Sequence, residues 1–302
     1  VVRRGLDVVA SVLRGGWTGD RSKRCDRSGG RSVGGGRLPA VCGRYASSRS
    51  DAQLVEDYAV DVVVGPEVGP SWNVAPTQQV RAVVEREPRD DEGGGGDGAD
   101  GPEGAQRQLR TLRWGLVPSW AKDPGVGSRM INARVETVTE KPAYRRAAAR
   151  RRCLLPADGY FEWDRRPAPD GSGKEIKVPH FLHAADSGPL TFAGLYELWR
   201  DPSAPEGTDP WLWTVTVITT QAHDEAGRIH DRSPVVLPAD FHGDWLDPSL
   251  TDLDLVRQVL DAVPPPVLAT HEVGRAVGSP RVNGPQLVLP LPELERREEL
   301  GG

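Results

Sequence analysis

Two periods govern the apolar positions of this chain. In RSDAQLVEDYAV (49–60), Leu54, Val55 and Tyr58 recur on one helical face, and Ser50 stands where an N-cap would satisfy the first free backbone amides. Helical spacing returns in DLDLVRQVLDAV (252–263), a segment that Pro264–Pro266 must end. KPAYRRAAARRR (141–152) reads as a short basic helix. Elsewhere the pattern is that of strands: QQVRAVVERE, RQLRTLRWGLVP, CLLPADGYFEW, KVPHFLHA, LTFAGLYELW and WLWTVTVITTQA. The Gly/Pro loop RRPAPDGSGKEI lies between the third and fourth of these and predicts a hairpin. No internal repeat is visible. Many strands of mixed spacing with few helices predict a single α+β domain, its mostly antiparallel strands curved into a sheet or barrel with helices at the flanks.

Three segments carry neither period. Residues 1–40 hold nine glycines and only the short apolar run LDVVASVL, residues 88–105 read PRDDEGGGGDGADGPEGA, and residues 293–302 form an acidic tail. Such segments bury too little apolar surface to offset the entropy of ordering. The expected organisation is therefore a disordered leader over 1–40, one domain over 41–292 with a disordered insertion at 88–105, and the tail. The chain begins with Val1 and its only methionine is Met130. A GTG start codon read literally gives Val, so Val41 is the expected initiator and the leader an over-called reading frame. An Arg-rich, acid-poor transit peptide is the other reading of the leader.

Charge changes the picture in one respect. The net charge is −5, yet the leader is basic, and the run from Glu85 to Glu103 sets eight acids against two arginines. The folded body carries little net charge, so overall acidity does not exclude a nucleic-acid partner. No stretch approaches the ~20 apolar residues of a membrane span, and no secretory signal pattern is present. Cys25, Cys42 and Cys153 are an odd set without CxxC spacing, which points away from a disulfide framework or zinc site and toward a reduced, cytoplasmic protein.

Four short segments place reactive side chains in unusual surroundings. In CGRYA, Cys42 is followed by Gly43 and Arg44 rather than by apolar neighbours. In INARVET, Asn132 and Arg134 are two apart, so on an extended chain they point the same way. Alone, that pair reads better as a surface strand. In DGYFEWD, alternation sets Glu162 on the face opposite Phe161 and Trp163. A carboxylate in so aromatic a strand is desolvated and suited to proton transfer, unless the face is simply solvated. In RIHDRSPVVL, His230, Asp231 and Arg232 precede a proline and an apolar run, where a histidine serves as an acid/base group or merely caps a loop.

Taken together, these segments resemble the SRAP family, the SOS response-associated peptidases or abasic-site processing proteins. The resemblance runs from Cys42 through WNVAPTQQV, RWGLVPSWAKD, INARVETVTEKPAYR, CLLPADGYFEW, FAGLYELW, VITTQAHDEAGRIHDRSPVVL and HEVGRAVGSPRVNGP, nearly all of residues 42–287. Ser233 stands where the family often has Met or Arg, Ala121 follows Trp120 where some members have a second Trp, and the Gly/Asp insertion is long. None of these departures touches the reactive set.

The resemblance implies that Cys42 is the mature N-terminus and that its α-amine and thiol together trap the aldehyde of an abasic site as a thiazolidine. It further implies that Asn132 holds the amine or sugar, that Glu162 assists ring opening and proton transfer, and that His230 is an acid/base group near the sugar oxygen. Arg44, Arg134 and Arg232 would hold phosphates, Asn73 would lie among the DNA contacts, and Trp120 would stack on a base or fill the gap at the lesion. No metal or organic cofactor is implied. The partner is single-stranded or junction DNA containing abasic sites, met by a monomer with no obligate protein partner. Two other uses of the same residues stay open: a cysteine (auto)peptidase built on Cys42 with His230 and Asn132 or Glu162, and a non-catalytic module that binds single-stranded DNA.

Overall fold

The computed structural model describes residues 43–86 and 104–292. Cys42, the leader, the insertion as far as residue 103 and the tail from residue 293 lie outside the described residues, and so do the expectations of disorder made for them. Along the described chain come β1 (Tyr45–Ser47), α1 (Asp51–Tyr58), β2 (Val62–Val64), β3 (Ser71–Val74), β4 (Gln79–Arg86) and β5 (Gln106–Trp114). Next are β6 (Asn132–Arg134), α2 (Arg145–Arg150), β7 (Arg152–Ala157), β8 (Gly159–Pro167), β9 (Glu175–Ala184) and β10 (Leu190–Arg200). The chain ends with β11 (Trp211–Gln221), α3 (Asp224–Ile229), β12 (Arg232–Pro234), α4 (His242–Leu246), α5 (Leu253–Ala262) and β13 (Leu268–Glu272).

Strands β11, β10, β7, β4 and β5 pair in that order, each antiparallel to the next. The ribbon then closes on itself: β5 returns to β11 in parallel, with Arg113 and Trp114 beside Thr214 and Val215. The result is a five-stranded barrel, to which β2, β6 and β12 attach. A second sheet runs β13-β9-β8-β1-β3. Alternation along the barrel strands feeds two cores. Val80, Ala82 and Val84 join Trp114, Leu155 and Phe192 in one cluster, which also takes Tyr45, Tyr160 and Leu182 from the second sheet. Val83, Leu109 and Leu154 point the other way, onto Leu54 of α1, Trp245 of α4 and Val256 of α5. Both faces are covered, so successive residues of β4 from Val80 to Val84 are buried on both sides of the sheet.

The α+β, barrel-like fold expected from the patterning is the fold observed, and α1 begins where Ser50 caps it through a reciprocal bond with Gln53. One element differs. CLLPADGYFEW is not one strand but two, β7 in the barrel sheet and β8 in the second sheet. The chain changes sheets at Asp158, whose carboxylate accepts the Ser48 amide at 2.7 Å and whose own amide donates to Ala46 at 2.8 Å. Gly159 follows because nothing larger fits: a Cβ there would lie 2.4 Å from the Phe181 ring and 2.5 Å from the Leu182 carbonyl oxygen. The hairpin from β8 to β9 forms as expected, with strands longer than the apolar letters alone indicated. Among the described residues, no helix is long and apolar enough to cross a membrane.

Candidate functional site

The chain immediately after Cys42 is fixed by backbone bonds to β8. Tyr45 lies across from Tyr160 and Ala46 from Gly159, and the Phe161 amide donates to the Arg44 carbonyl at 2.9 Å. Carried one residue further, this antiparallel register sets Gly43 opposite Glu162. Glu162 is only 4% exposed. Its neighbour Phe161 points to the other face of the sheet, into a cluster with Phe181, Val273 and Leu287. A buried carboxylate thus stands beside the strand that leads back to Cys42.

Asn132 and His230 arrive from the barrel side. Strand β6 runs parallel to β11, so Asn132 lies beside Val217, and the Tyr144 hydroxyl donates to the Asn132 carbonyl at 3.2 Å. Helix α3 packs against β8 and β13, and His230 ends it, its amide donating to the Ala226 carbonyl at 3.0 Å. The His230 ring is mostly covered; Nδ1 lies 3.1 Å from the Arg232 amide and 3.0 Å from the exposed Asp231 carboxylate. A neutral ring accepts from the amide at Nδ1 and keeps its proton on Nε2, whereas a protonated ring donates to Asp231. Tyr45, Ile131, Tyr160, Ala226 and Ile229 share one apolar cluster. Residues next in sequence to Asn132 and close to His230, and Tyr160 two before Glu162, thus belong to one packed cluster.

The residues expected to contact DNA divide into two groups. Arg44 donates from one guanidinium nitrogen to Asn73 Oδ1 at 2.8 Å and to the Val277 carbonyl at 2.7 Å, and burial lowers its pKa. Asn73 is buried and donates to the Ser279 and Val282 carbonyls at 2.9 and 2.7 Å. Arg232 holds both Glu136 oxygens, at 2.5 and 3.0 Å, and reaches the Thr219 carbonyl; its hydrogen bonds draw the Glu136 pKa down. Arg134 and Trp120 are different. Both are exposed, Trp120 at 68%, and the Arg134 guanidinium makes no hydrogen bond or ion pair among the described residues.

Sequence reasoning passed over a polar row beside Glu162. Across β8, β9 and β13, Glu162 lies opposite His180 and His180 opposite Glu272. Arg166 ties the row together, bonded to Asp164 at 2.6 Å, to Glu272 at 2.6 Å and to His180 Nε2 at 3.0 Å. The available signal was the hairpin itself, since pairing Phe161 with Phe181 brings the residues beside them, Glu162 and His180, together. Two surface clefts lie elsewhere. One of about 200 Å³ is lined by His223, Ser233 and Asp261, and one of about 440 Å³ by Tyr58, Thr191 and His242; neither is walled by Asn132, Glu162 or His230.

A closed five-stranded barrel joined to a second sheet, with a buried carboxylate across from the start of the described chain, defines one class of protein. A model of that class, "SOS response associated peptidase (SRAP)", matches residues 41–280. The chain belongs to the SRAP family. It is 34% identical over 249 residues to the abasic site processing protein YoqW of Bacillus subtilis, covering 82% of this chain and 99% of that one. A second Bacillus subtilis relative, the abasic site processing protein YoaM, is 34% identical over 249 residues, covering 82% of this chain and 97% of its own length. A crystal structure of a Bacteroides thetaiotaomicron protein shares the fold with a TM-score of 0.62 and 22% identity, covering 83% of this chain and all of that one.

Proposed function

We propose that this protein captures abasic sites in DNA covalently, through a thiazolidine built on Cys42, and so shields the lesion in the response to DNA damage. One observation supports the reading most: the chain just after Cys42 runs in register with a buried carboxylate, Gly43 across from Glu162. The family relationship and the names carried by its relatives support the substrate.

An abasic sugar interconverts between a closed hemiacetal and an open aldehyde. Opening takes the proton from the C1′ hydroxyl, breaks the C1′–O4′ bond and returns a proton to O4′. Glu162 serves the first transfer and His230 the second. The α-amine of Cys42, with a reference pKa of ~7.7–8.0, is partly neutral near pH 7 and adds to the C1′ carbonyl carbon. Loss of one water leaves an imine. The Cys42 sulfur then bonds to the imine carbon while the thiol proton ends on nitrogen, closing a five-membered ring. The chemistry requires a free amine on Cys42; an internal cysteine would give only a hemithioacetal, which reverses.

In this scheme Asn132 holds the amine or sugar by hydrogen bonds. Exposed Arg134 meets a phosphate and exposed Trp120 stacks on a base. Arg44, Asn73 and Arg232, which already hydrogen-bond within the fold, hold the walls of the DNA path. The protein acts on single-stranded DNA as a monomer. Protein starting at Cys42 should form a heat-stable adduct with an abasic single strand and none with the intact strand. Glu162→Gln should slow adduct formation by ~10²–10⁴-fold. Adducts formed equally with intact DNA would overturn the reading. So would cleavage of unrelated proteins without any adduct, which is the peptidase outcome.

A further inference from the structure

The row beside Glu162 contains one polar group whose position the fold itself does not explain. His180 is 8% exposed, and its Nδ1 has no hydrogen-bond partner. Its other ring nitrogen, Nε2, lies 3.0 Å from an Arg166 guanidinium nitrogen. Guanidinium only donates, so Nε2 must accept. That fixes the ring as neutral with its proton on Nδ1, and burial supports this by lowering the ring's pKa. Asp164 and Glu272 hold Arg166 in place on both sides. The molecule has therefore arranged three charged groups to aim a neutral imidazole in one tautomer, and left its N–H without an acceptor. Leaving such a donor buried is costly, and it calls for an acceptor that is present at another stage.

We propose that His180 is a positioning residue for the capture reaction, its Nδ1–H kept as the donor for the Glu162 carboxylate. The two are direct cross-strand neighbours in the β8–β9 pair, where side chains on one face lie within reach of each other. When Glu162 is ionised it turns toward His180 and accepts this bond, which stabilises the charged form and sets the carboxylate as a base. The charged and titratable groups that face His180 are Asp164 and Arg166 from β8 and Glu272 and His271 from β13. Arg166 is already shared between Asp164 and Glu272, and the His180 Nδ1–H is a further donor within the same row. The role assigned to Glu162 rests on the proposed capture reaction; the His180 tautomer and its bond to the carboxylate do not.

The test is a ¹³C NMR titration of the glutamate side-chain carboxyls, with Glu162 assigned by the signal that Glu162→Gln removes. In His180→Phe, which keeps a flat ring and loses the donor, the Glu162 midpoint should rise by about one pH unit. His180→Asn, whose carboxamide restores an N–H, should bring it back toward wild type. The capture rate on the acid side should fall in step in His180→Phe and recover in His180→Asn. An unmoved midpoint, or equal shifts in both variants, would overturn the proposal. If neither variant folds, ¹⁵N spectra of the wild-type protein decide. Protonation at Nδ1 alone near neutral pH is expected, and the opposite tautomer or a charged ring there overturns it. Wild-type protein that makes no adduct at any pH would sink the capture reading and leave the midpoint and tautomer to judge His180.

Discussion

Replacing Asn73 by alanine separates a residue that builds the fold from one that touches DNA. Its side chain is 2% exposed, and it makes three hydrogen bonds: it accepts one from the Arg44 guanidinium and donates to the Ser279 and Val282 carbonyls. A bond to a charged group contributes about 1.5–3 kcal/mol and a neutral one about 0.5–1.5 kcal/mol, more where a partner is left dry. Arg44 keeps its bond to the Val277 carbonyl, so the guanidinium is not abandoned and the lower half of those ranges applies. The expected loss is about 3–4 kcal/mol, or about 10 °C in melting temperature for a domain of this size. Thermal melts by circular dichroism read the first number. The salt dependence of binding to single-stranded DNA, taken well below both melting points, reads whether a nucleic-acid contact was lost. A melting temperature within a degree or two of wild type, together with a flatter salt slope, would refute the assignment of Asn73 to the framework.

Other outcomes follow from the same contacts. Arg134→Ala should lower the salt slope of single-strand binding by about 0.7, the value of one phosphate contact, and leave the melting temperature unchanged because the side chain is exposed. Trp120→Ala should weaken binding by about 1–3 kcal/mol through a lost stack, with no stability cost at 68% exposure; isothermal titration checks both. Cys153 is fully buried and burial pushes its thiol pKa up, so it should resist alkylation in the native protein and react only on unfolding. Mass spectrometry of labelled peptides reads that directly.

Much of the fold could be read from the letters, because alternation is a local signal. The helix after Ser50, the helix before Pro264 and the strands lining the barrel all announced themselves in a single period. What stayed hidden were the features set by distant partners. Nothing local in CLLPADGYFEW says that Asp158 hands the chain from one sheet to another; the reasons are the Ser48 amide and the closeness of Phe181 to Gly159. The short strand β13 is not among the strands the patterning predicts; pairing with β9 makes it one.

The site divides in the same way. The sequence left Glu162 either desolvated in its aromatic strand or on a solvated face, and the fold buries it. The internal bonding of Arg44 and Asn73 depends on Val277, Ser279 and Val282, more than two hundred residues away, and no nearby letter signals it. His180 lies between these cases. Its strand was read correctly, but its meaning depended on the hairpin register, which fixes Glu162 across from it.

In the proposed capture, amine and thiol act together at Cys42. This is tested most directly by intact mass and denaturing gels on two forms of the protein, one beginning at Cys42 and one retaining residues 1–41, each incubated with the same abasic single strand. Only the form with Cys42 as its first residue should give a heat-stable adduct, its mass equal to protein plus strand less one water. Equal rates and equal stability from the form with an internal Cys42 would mean that the amine plays no part, and would contradict the thiazolidine mechanism.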